Sequence, residues 1–305
     1  MYIIICGATG TGKSEAALLA AQQIGGEIIS CDSMQVYRGM DIGTSKVLAE
    51  IRGKIPHHLI DIINPDEPFT AAEFKRLAEP LITDIISRKK IPILCGGTGL
   101  YIDALIKGIF EGTGNKEGVR ERLNGLLDEK GLLYMAELLS EKDPEEAAVT
   151  DLQNPRRVIR ALEIIETEKM KASVVRKKAS LTAFKAERAM FVLSRGRENL
   201  NRALDARVDA MFAAGLEDEV RSLMNNGLKT GSTAMQAIGY KETALYIEGK
   251  LSLDEAVQSI KSATRQYAKR QETWFKRYKE AEVIDMDKNT ADEAAGIICR
   301  SAGVS

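Results

Sequence analysis

The chain has 305 residues, of which 44% are hydrophobic and 29% are charged, and its formal net charge at pH 7 is −1. This composition excludes an intrinsically disordered protein and is sufficient for one large domain or two smaller ones. The small net charge excludes nucleic-acid binding through overall basicity, so any such binding needs local clusters of lysine and arginine.

No apolar stretch reaches the length of a membrane span, and the sequence begins with strand and loop patterns in place of a signal peptide. The four cysteines are scattered and form no C-x-x-C pair. This usage predicts reduced thiols in a cytoplasmic protein and argues against a metal role for them.

The first hundred residues predict alternating strands and helices. Strand patterns cover 2–6, 27–31, 56–62 and 91–95, and helix patterns cover 13–23, 71–88 and 99–107. This alternation is typical of an α/β protein with a mostly parallel sheet that is flanked by helices.

The pattern changes after residue 110. Residues 111–115 have the composition of a linker, and 117–179 are almost entirely helical, with breaks at Asp143-Pro144 and Asn154-Pro155. The remaining chain predicts strands at 189–194 and 282–286 and helices at 198–213, 216–226, 234–248, 253–280 and 290–300. We therefore predict a phosphate-loop (P-loop NTPase-like) α/β core formed by residues 1–113 and 189–305, with an inserted all-helical domain at 114–188.

The most specific short motif is a phosphate-binding loop, which lies between the first predicted strand and the first predicted helix and matches G-x-x-x-x-G-K-[ST]. It consists of Gly7, Ala8, Thr9, Gly10, Thr11, Gly12, Lys13 and Ser14. Its backbone N–H groups can surround phosphate oxygens, while Lys13 supplies a positive charge and Ser14 a hydroxyl for Mg²⁺. A tight glycine turn without a ligand is the alternative, but such a turn does not require the Lys-Ser pair. The motif alone does not identify the ligand.

Asp32 directly follows the strand at 27–31, at the sheet edge where ligands of α/β proteins bind. A carboxylate there can be a metal ligand, a helix N-cap or a general base. A phosphate-loop ATPase also needs an acid at the end of a second strand, but residues 96–99 after the strand at 91–95 read GGTG. The missing acid argues against a hydrolysing motor and favours an enzyme that holds phosphates as a leaving group.

The sequence contains two clusters of basic residues, which we expect on either side of the phosphate loop. Residues 261–279 are rich in lysine and arginine, including Arg265 and Arg270, and contain interleaved aromatic residues. The second cluster lies in the predicted helical domain, at 156–160 and 169–178. One such cluster is usually a solvated helix face, but two of them favour a polyanionic partner.

Further motifs resemble one enzyme family. They are DSMQVYRGMDIGT at 32–44, PHHLID at 56–61, GGTGLY at 96–101, PRRVIRALE at 155–163, IGY at 238–240 and RQYAKRQ at 265–271. Together with the phosphate loop they are similar to the tRNA dimethylallyltransferases (tRNA isopentenyltransferases) of the bacterial type. Members of this family transfer a five-carbon prenyl group to N6 of the adenosine adjacent to the 3′ side of the anticodon, in tRNAs that read codons beginning with U.

The resemblance implies roles for particular residues. The phosphate loop would hold the diphosphate of dimethylallyl diphosphate with Mg²⁺ at Ser14, Lys13 would stabilise the departing diphosphate, Asp32 would be the general base, and Thr98 would contact the substrate near the reacting centre. The positions that fall where the family contacts the tRNA anticodon stem-loop are Asp32, Ser33, Met34, Gln35, Thr98, Arg120, Arg156, Arg157, Val158, Ile159, Arg160, Gln236, Gly239, Tyr240 and Lys241. Arg265 and Arg270 join this set from the basic stretch. No obligate protein partner and no membrane is implied.

The chain departs from the family pattern in two places. Ala8 replaces a usual proline, which makes the loop also similar to that of adenylate isopentenyltransferases acting on free AMP, ADP or ATP. Ala203 stands where many members have an arginine, which leaves open whether Arg195, Arg197 or Arg202 contacts the diphosphate. No C-x-x-C follows residue 280, so the zinc finger of the eukaryotic members is not expected.

Other interpretations remain at this point. Prenylation of free adenine nucleotides is disfavoured by the helical insertion and the basic stretch, which a small acceptor would not require. A nucleotide kinase is disfavoured by the missing second acid, and a non-catalytic RNA-binding protein would not need Lys13, Ser14 and Asp32. His57 and His58 are more typical of packing or of a backbone hydrogen bond than of catalysis.

Overall fold

The computed structural model describes residues 1–110, 112 and 118–304. They form two compact units: Met1–Ile102 with Ala186–Ser305, here called the sheet unit, and Asp103–Lys185, here called the helical unit. Most of the predicted linker at 111–115, and with it the predicted boundary between residues 113 and 114, lies outside the described residues. Within the described part of the chain, no helix has the length and apolarity that crossing a membrane would require.

The sheet unit is built on six parallel strands in the order β3-β2-β4-β1-β5-β6. Their bounds are β1 Tyr2–Gly7, β2 Glu27–Ser30, β3 His57–His58, β4 Pro92–Gly96, β5 Arg188–Ser194 and β6 Glu282–Asp285. The central strands β1, β2 and β4 are buried along their whole length, as expected for a parallel sheet that is covered on both faces. The predicted α/β fold is confirmed.

Helices connect these strands and make up the helical unit. Their bounds are α1 Lys13–Ile24, α2 Ala49–Lys54, α3 Ala71–Ser87, α4 Gly99–Lys107, α5 Val119–Lys142, α6 Pro144–Val149, α7 Pro155–Glu168, α8 Ala172–Ser180, α9 Arg197–Ala213, α10 Leu216–Asn225, α11 Tyr240–Ile247, α12 Leu253–Phe275 and α13 Ala291–Ser301, with a 3₁₀ turn at Ala234–Gln236. Capping boxes at Thr70, Ser252 and Thr290 fix the starts of α3, α12 and α13.

The predicted breaks in the helical unit are confirmed, and each has a local cause. The Asp143 carboxylate accepts a hydrogen bond from the Glu146 N–H and caps α6, which begins with Pro144. The Asn154 side chain caps α7 in the same way, and Pro155 is its first residue. Proline suits this position because the first N–H groups of a helix have no partner within the helix.

Three sequence-based boundaries are wrong. The predicted strand at 56–62 pairs only at His57–His58, because Leu59 and Asp61 have left-handed φ angles of 61° and 57° that end the ladder. The predicted helix at 234–248 is interrupted at Gly239, whose φ of 97° is not helical. The helix predicted over 253–280 ends at Phe275, and the short helix α2 was not predicted.

Several apolar cores stabilise the described part of the sheet unit, and the helical unit has its own. Side chains of β1, α1 and α13, such as Ile3, Ala17 and Ile298, form the first core. The second core packs the segment after β2 against α9, α10 and α11, with Tyr37 and Tyr240 at its centre. Because the second core holds the segment that follows Asp32, packing there supports the end of the sheet at which ligands bind.

A buried carboxylate at the start of β2 organises a cluster of charged side chains. Glu27 is only 2% exposed, accepts hydrogen bonds from Arg88 and Lys90, and lies 2.8 Å from His58 Nε2. The hydrogen bonds from Arg88 above all, and then those from Lys90 and His58, hold the pKa of Glu27 well below its usual range against the opposing effect of burial. The neighbouring His57 Nδ1 lies 2.7 Å from the Ile55 carbonyl oxygen, so both histidines have structural contacts.

Replacing Glu27 by glutamine should lower the free energy of unfolding by about 2 kcal/mol at pH 7, because the cationic partners lose a charged acceptor. The difference should shrink as the pH falls below about 4.3, since a carboxylate with a lowered folded-state pKa stabilises above its unfolded-state pKa and loses this contribution on protonation. Urea denaturation measures the effect. Glu50→Gln is the control, because Glu50 and its partner Lys54 are exposed. Equal effects of both changes would contradict the prediction.

Candidate active site

A cavity of about 730 Å³ lies in the sheet unit at the carboxyl ends of β1, β2 and β4. Its wall includes the phosphate loop, the turn after β2, the Gly96-Gly97 tip of β4 and side chains of α9 and α12. The predicted site residues that line it are Thr9, Gly10, Gly12, Lys13, Ser14, Asp32, Ser33, Met34, Gln35, Gln236, Tyr240 and Arg270. The fold therefore brings the predicted phosphate site, the candidate base and part of the predicted RNA-binding set to one place.

The phosphate loop adopts a compact form in which its lysine is folded back on the loop. Lys13 is 9% exposed, and its Nζ donates to the Ala8 carbonyl oxygen at 2.6 Å. Thr11 Oγ1 donates to the same oxygen at 2.8 Å. The φ angles of 82° at Gly10 and 87° at Gly12 require glycine. Burial lowers the pKa of Lys13, while the charge of Asp32 opposes this shift, so an anionic ligand would favour the charged form.

Asp32 shapes the turn after β2 and also faces the cavity. Its Oδ1 accepts hydrogen bonds from the N–H groups of Met34, at 2.8 Å, and Gln35, at 3.4 Å. The turn does not continue into an α-helix, so the helix N-cap interpretation is wrong. Among the described residues nothing hydrogen-bonds Oδ2, which is therefore available to a ligand in the cavity.

Thr98 contacts the turn that carries Asp32 and is not itself among the residues that line the cavity. Its Oγ1 accepts a hydrogen bond from Ser33 N–H at 3.0 Å, and its own N–H donates to the Cys31 carbonyl at 3.1 Å. Gly96 makes this close approach possible, since a Cβ there would lie 2.3 Å from the Cys31 oxygen. In this structure Thr98 supports the backbone on either side of Asp32.

Two arginines reach the phosphate loop, and one of them was not predicted. Arg195 Nη1 donates to the Gly10 carbonyl at 3.2 Å, and Arg207 Nη1 donates to Thr9 Oγ1 at 3.0 Å. Both line the cavity, whereas Arg197 and Arg202 are exposed and do not. Burial lowers the pKa of Arg207, and the charge of Asp32 opposes this shift. Of the three arginines that the sequence left open, the geometry favours Arg195.

The sequence contains a signal that could have identified Arg207. On α9, the buried positions are Leu200, Leu204, Val208 and Met211. Arg207 lies three residues after Leu204 and seven after Leu200, which places it at the edge of this apolar stripe. A charged residue at such a position is unusual unless it has a partner or a ligand.

The segment 41–44 next to the cavity is held by one carboxylate. Glu219 accepts hydrogen bonds from the backbone N–H groups of Asp41, Ile42 and Gly43, and from the Tyr240 hydroxyl at 2.6 Å. The adjacent Thr44 carbonyl accepts a hydrogen bond from Gln35 Nε2. Tyr240 is fully buried, so its first role is to pack and hold this segment, although it also borders the cavity.

The remaining predicted RNA contacts of the sheet unit differ in exposure. Arg270 is exposed, borders the cavity and lies over the Tyr267 ring at 5.7 Å. Arg265 pairs with Asp205 at 2.5 Å and does not line the cavity. Lys241 is exposed and Gly239 is buried, and both lie outside the cavity lining.

The predicted RNA contacts of the helical unit lie on α5 and α7. Arg156 and Arg157 are exposed at the start of α7. Arg120 and Arg160 both donate to the buried Glu163, at 2.7 and 2.8 Å. The next two residues, Val158 and Ile159, are buried in the core of the unit. They hold α7 in place and leave the arginines at its surface.

The donor set near the phosphate loop is suited to Mg²⁺ only together with a phosphate ligand. Among the described residues no group of three or more His, Cys, Asp or Glu side chains could hold a metal ion. The Ser14 hydroxyl is exposed and lines the cavity. Because Mg²⁺ retains several waters and commonly binds substrate phosphates, a single hydroxyl in this place fits the ion.

The chain is similar to known proteins over most of its length. Residues 35–278 match the family model described as IPP transferase. The chain is 46% identical over 286 residues to the tRNA dimethylallyltransferase of Geobacillus thermodenitrificans, covering 93% of this chain and 90% of the relative. It is 43% identical to the enzyme of the same name from Pelotomaculum thermopropionicum, over 95% of this chain and 92% of the relative.

Solved structures show the same similarity. The full-length tRNA isopentenylpyrophosphate transferase from Bacillus halodurans has a TM-score of 0.73 and 40% identity, covering 99% of this chain and 95% of that one. A eukaryotic dimethylallyltransferase acting on tRNA has a TM-score of 0.82 and 28% identity, over 98% of this chain and 77% of that one. With a family model that spans most of its length and relatives above 40% identity, the chain belongs to the IPP transferase family.

Proposed function

We propose that this protein transfers a dimethylallyl group from dimethylallyl diphosphate to N6 of the adenosine adjacent to the 3′ side of the anticodon, in tRNAs that read codons beginning with U. The observation that carries the proposal is one cavity that combines a phosphate loop with a carboxylate at the next strand end. A phosphate site beside a carboxylate that can accept a proton suits a reaction in which diphosphate leaves and a proton is removed.

The proposed reaction balances within this cavity. The bond between the allylic carbon and the diphosphate oxygen breaks, and its electron pair leaves with the diphosphate. The N6 lone pair of adenine forms the new C–N bond, and the N6 proton passes to Asp32 Oδ2. Lys13, Arg195 and Arg207 would stabilise the charge on the leaving group, because fixed donors aimed at a developing charge need no reorganisation.

The target adenine must leave its stack to enter the cavity, which costs a few kcal/mol and is cheapest in a loop. Phosphate contacts can offset that cost. Arg270 at the edge of the cavity and Arg156 and Arg157 on the helical unit are exposed and have the chemistry for such contacts. The stacking of Arg270 on Tyr267 also offers a flat surface to a base.

Mg²⁺ is the proposed cofactor, which Ser14 and oxygens of the diphosphate would hold. When bound, it would neutralise charge on the leaving group. The four described cysteines are free and buried, which supports the proposal that the enzyme works in the reducing cytoplasm.

Transfer to free AMP, ADP or ATP is the alternative reaction. A small acceptor would fill the cavity without using the exposed arginines of α7 or of α12. The relatives above 40% identity are named for tRNA, which supports the polymer as acceptor.

An acceptor competition tests the proposal. The protein should transfer label from radiolabelled dimethylallyl diphosphate to an unmodified tRNA with adenosine next to the anticodon, and should leave an equal concentration of AMP unlabelled. A matched tRNA with guanosine at that single position should remain unlabelled. Label in AMP alone, or in both tRNAs equally, would overturn the proposed acceptor.

A further inference from the structure

We propose that Gln271 is a positioning residue that holds the two halves of the cavity at a fixed separation. Gln271 lies near the end of α12 and is only 6% exposed. Its Oε1 accepts a hydrogen bond from Thr9 N–H at 2.8 Å, and its Nε2 donates to the Gly97 carbonyl oxygen at 2.8 Å. One side chain therefore bridges the phosphate loop and the tip of β4. The inference rests on the proposed prenyl transfer.

The orientation of the amide follows from its partners. Thr9 contributes an N–H, which needs an acceptor, and Gly97 contributes a carbonyl oxygen, which needs a donor. Only a neutral amide with both functions satisfies the two loops at once. A glutamate would place a carboxylate oxygen, which cannot donate a hydrogen bond, against the Gly97 carbonyl oxygen. An apolar side chain would leave two buried backbone groups without partners.

The Gln271 amide packs so closely against the backbone of residue 97 that a side chain there would prevent the contact. A Cβ on residue 97 would lie 2.2 Å from Gln271 Nε2, so glycine is required there for the contact to form. The same hypothetical Cβ would lie 3.6 Å from the Gly7 carbonyl oxygen, which places the β4 tip directly beside the phosphate loop. The bridge therefore closes a narrow gap between two backbone segments.

Each end of the bridge leads to a group of the proposed reaction. On one side, Thr9 is also the residue whose hydroxyl accepts the hydrogen bond from Arg207. On the other side, Gly97 precedes Thr98, which holds the backbone N–H of Ser33 next to Asp32. Gln271 thus connects the half of the cavity that would hold the diphosphate with the half that carries Asp32, the proposed general base.

This connection should affect the rate of transfer more than the binding of either substrate. Transfer requires the allylic carbon and N6 at about 3–3.5 Å, and a displacement of about 1 Å can cost about 100-fold in rate. Each half would keep the side chains proposed to contact its substrate when the bridge is removed. A residue that only supported the fold would instead lower the melting temperature and the fraction of active protein.

The test compares Gln271→Met, Gln271→Glu and the control Gln258→Met, which changes an exposed glutamine on the same helix. We expect both Gln271 variants to lower kcat by about 30-fold or more with both substrates saturating. The KM for dimethylallyl diphosphate and the Kd for tRNA should each change by less than about threefold, and Gln258→Met should match the wild type. Melting temperatures and active-site titration correct for the folded fraction.

Gly97→Ala breaks the same contact from the opposite side and provides an independent variant should a Gln271 variant not fold. Combined with Gln271→Met, it should cost little more than either change alone, because both remove one interaction. Wild-type kcat in a folded Gln271→Met protein, a loss confined to KM, or additive effects in the double variant would overturn the inference. Absence of transfer by the wild type would instead refute the proposed function.

Discussion

Replacing Asp32 by asparagine should lower kcat for prenyl transfer by at least about 100-fold, the usual contribution of a general base. The asparagine side-chain oxygen can still accept the hydrogen bonds from Met34 and Gln35 that Asp32 Oδ1 accepts now. The turn should therefore persist, and the Kd for tRNA should change little, while the group that receives the N6 proton is lost. Single-turnover rates with saturating substrates measure the chemical step directly.

Asp32→Ala separates the two roles of this side chain. Alanine removes both the base and the hydrogen bonds of the turn, so it should lose tRNA affinity as well as kcat. If Asp32 only shaped the turn, the asparagine variant would have nearly wild-type kcat and only the alanine variant would be impaired. That outcome would exclude Asp32 as the general base and would show that its role is to stabilise the turn.

Replacing Arg207 by methionine should lower kcat/KM for dimethylallyl diphosphate by about 100-fold or more, a loss comparable to that of one oxyanion-stabilising donor. Arg207 is held against Thr9 Oγ1, so its guanidinium needs little reorganisation to meet a diphosphate in the loop. Steady-state kinetics with varied diphosphate and saturating tRNA measures the effect, and the Kd for tRNA should stay close to that of the wild type.

Arg202→Met is the matched control for this prediction. Arg202 lies on the same helix, is exposed, and is hydrogen-bonded to Asn199 outside the cavity lining. Its replacement should leave kcat/KM nearly unchanged. Similar losses in the two variants would indicate a general effect of positive charge on α9. A larger loss in Arg202→Met would show that Arg202, and not Arg207, contacts the diphosphate.

The cavity depends on structure that lies outside the motifs themselves. Glu219 on α10 accepts hydrogen bonds from three backbone N–H groups of the segment 41–43 and from the hydroxyl of Tyr240. This arrangement rigidifies the segment that holds Gln35 through the Thr44 carbonyl. A site built on such supported loops can hold its reacting groups with little freedom, which group transfer between two bound substrates requires.

Much of the fold was determined by short-range patterns in the sequence. The phosphate loop needs Gly10, Gly12 and the Lys-Ser pair within a few residues, and the structure places this loop between β1 and α1. The parallel sheet follows from alternating apolar strands and helices, and the breaks at Asp143 and Asn154 follow from a capping side chain and an adjacent proline. Each of these signals lies within one turn or one strand, so the sequence alone contains it.

The tertiary structure alone decided which distant side chains meet. Arg207 reaches Thr9 across 198 residues of sequence, and Gln271 reaches the same residue across 262. Local pattern cannot specify such pairs, because they depend on how helices pack over the sheet. The sequence indicated Thr98 as a substrate contact, and the folded chain shows in addition that its hydroxyl accepts a hydrogen bond from the Ser33 N–H beside Asp32. The sequence determined the phosphate loop and the candidate base, and packing decided which residues surround and align them.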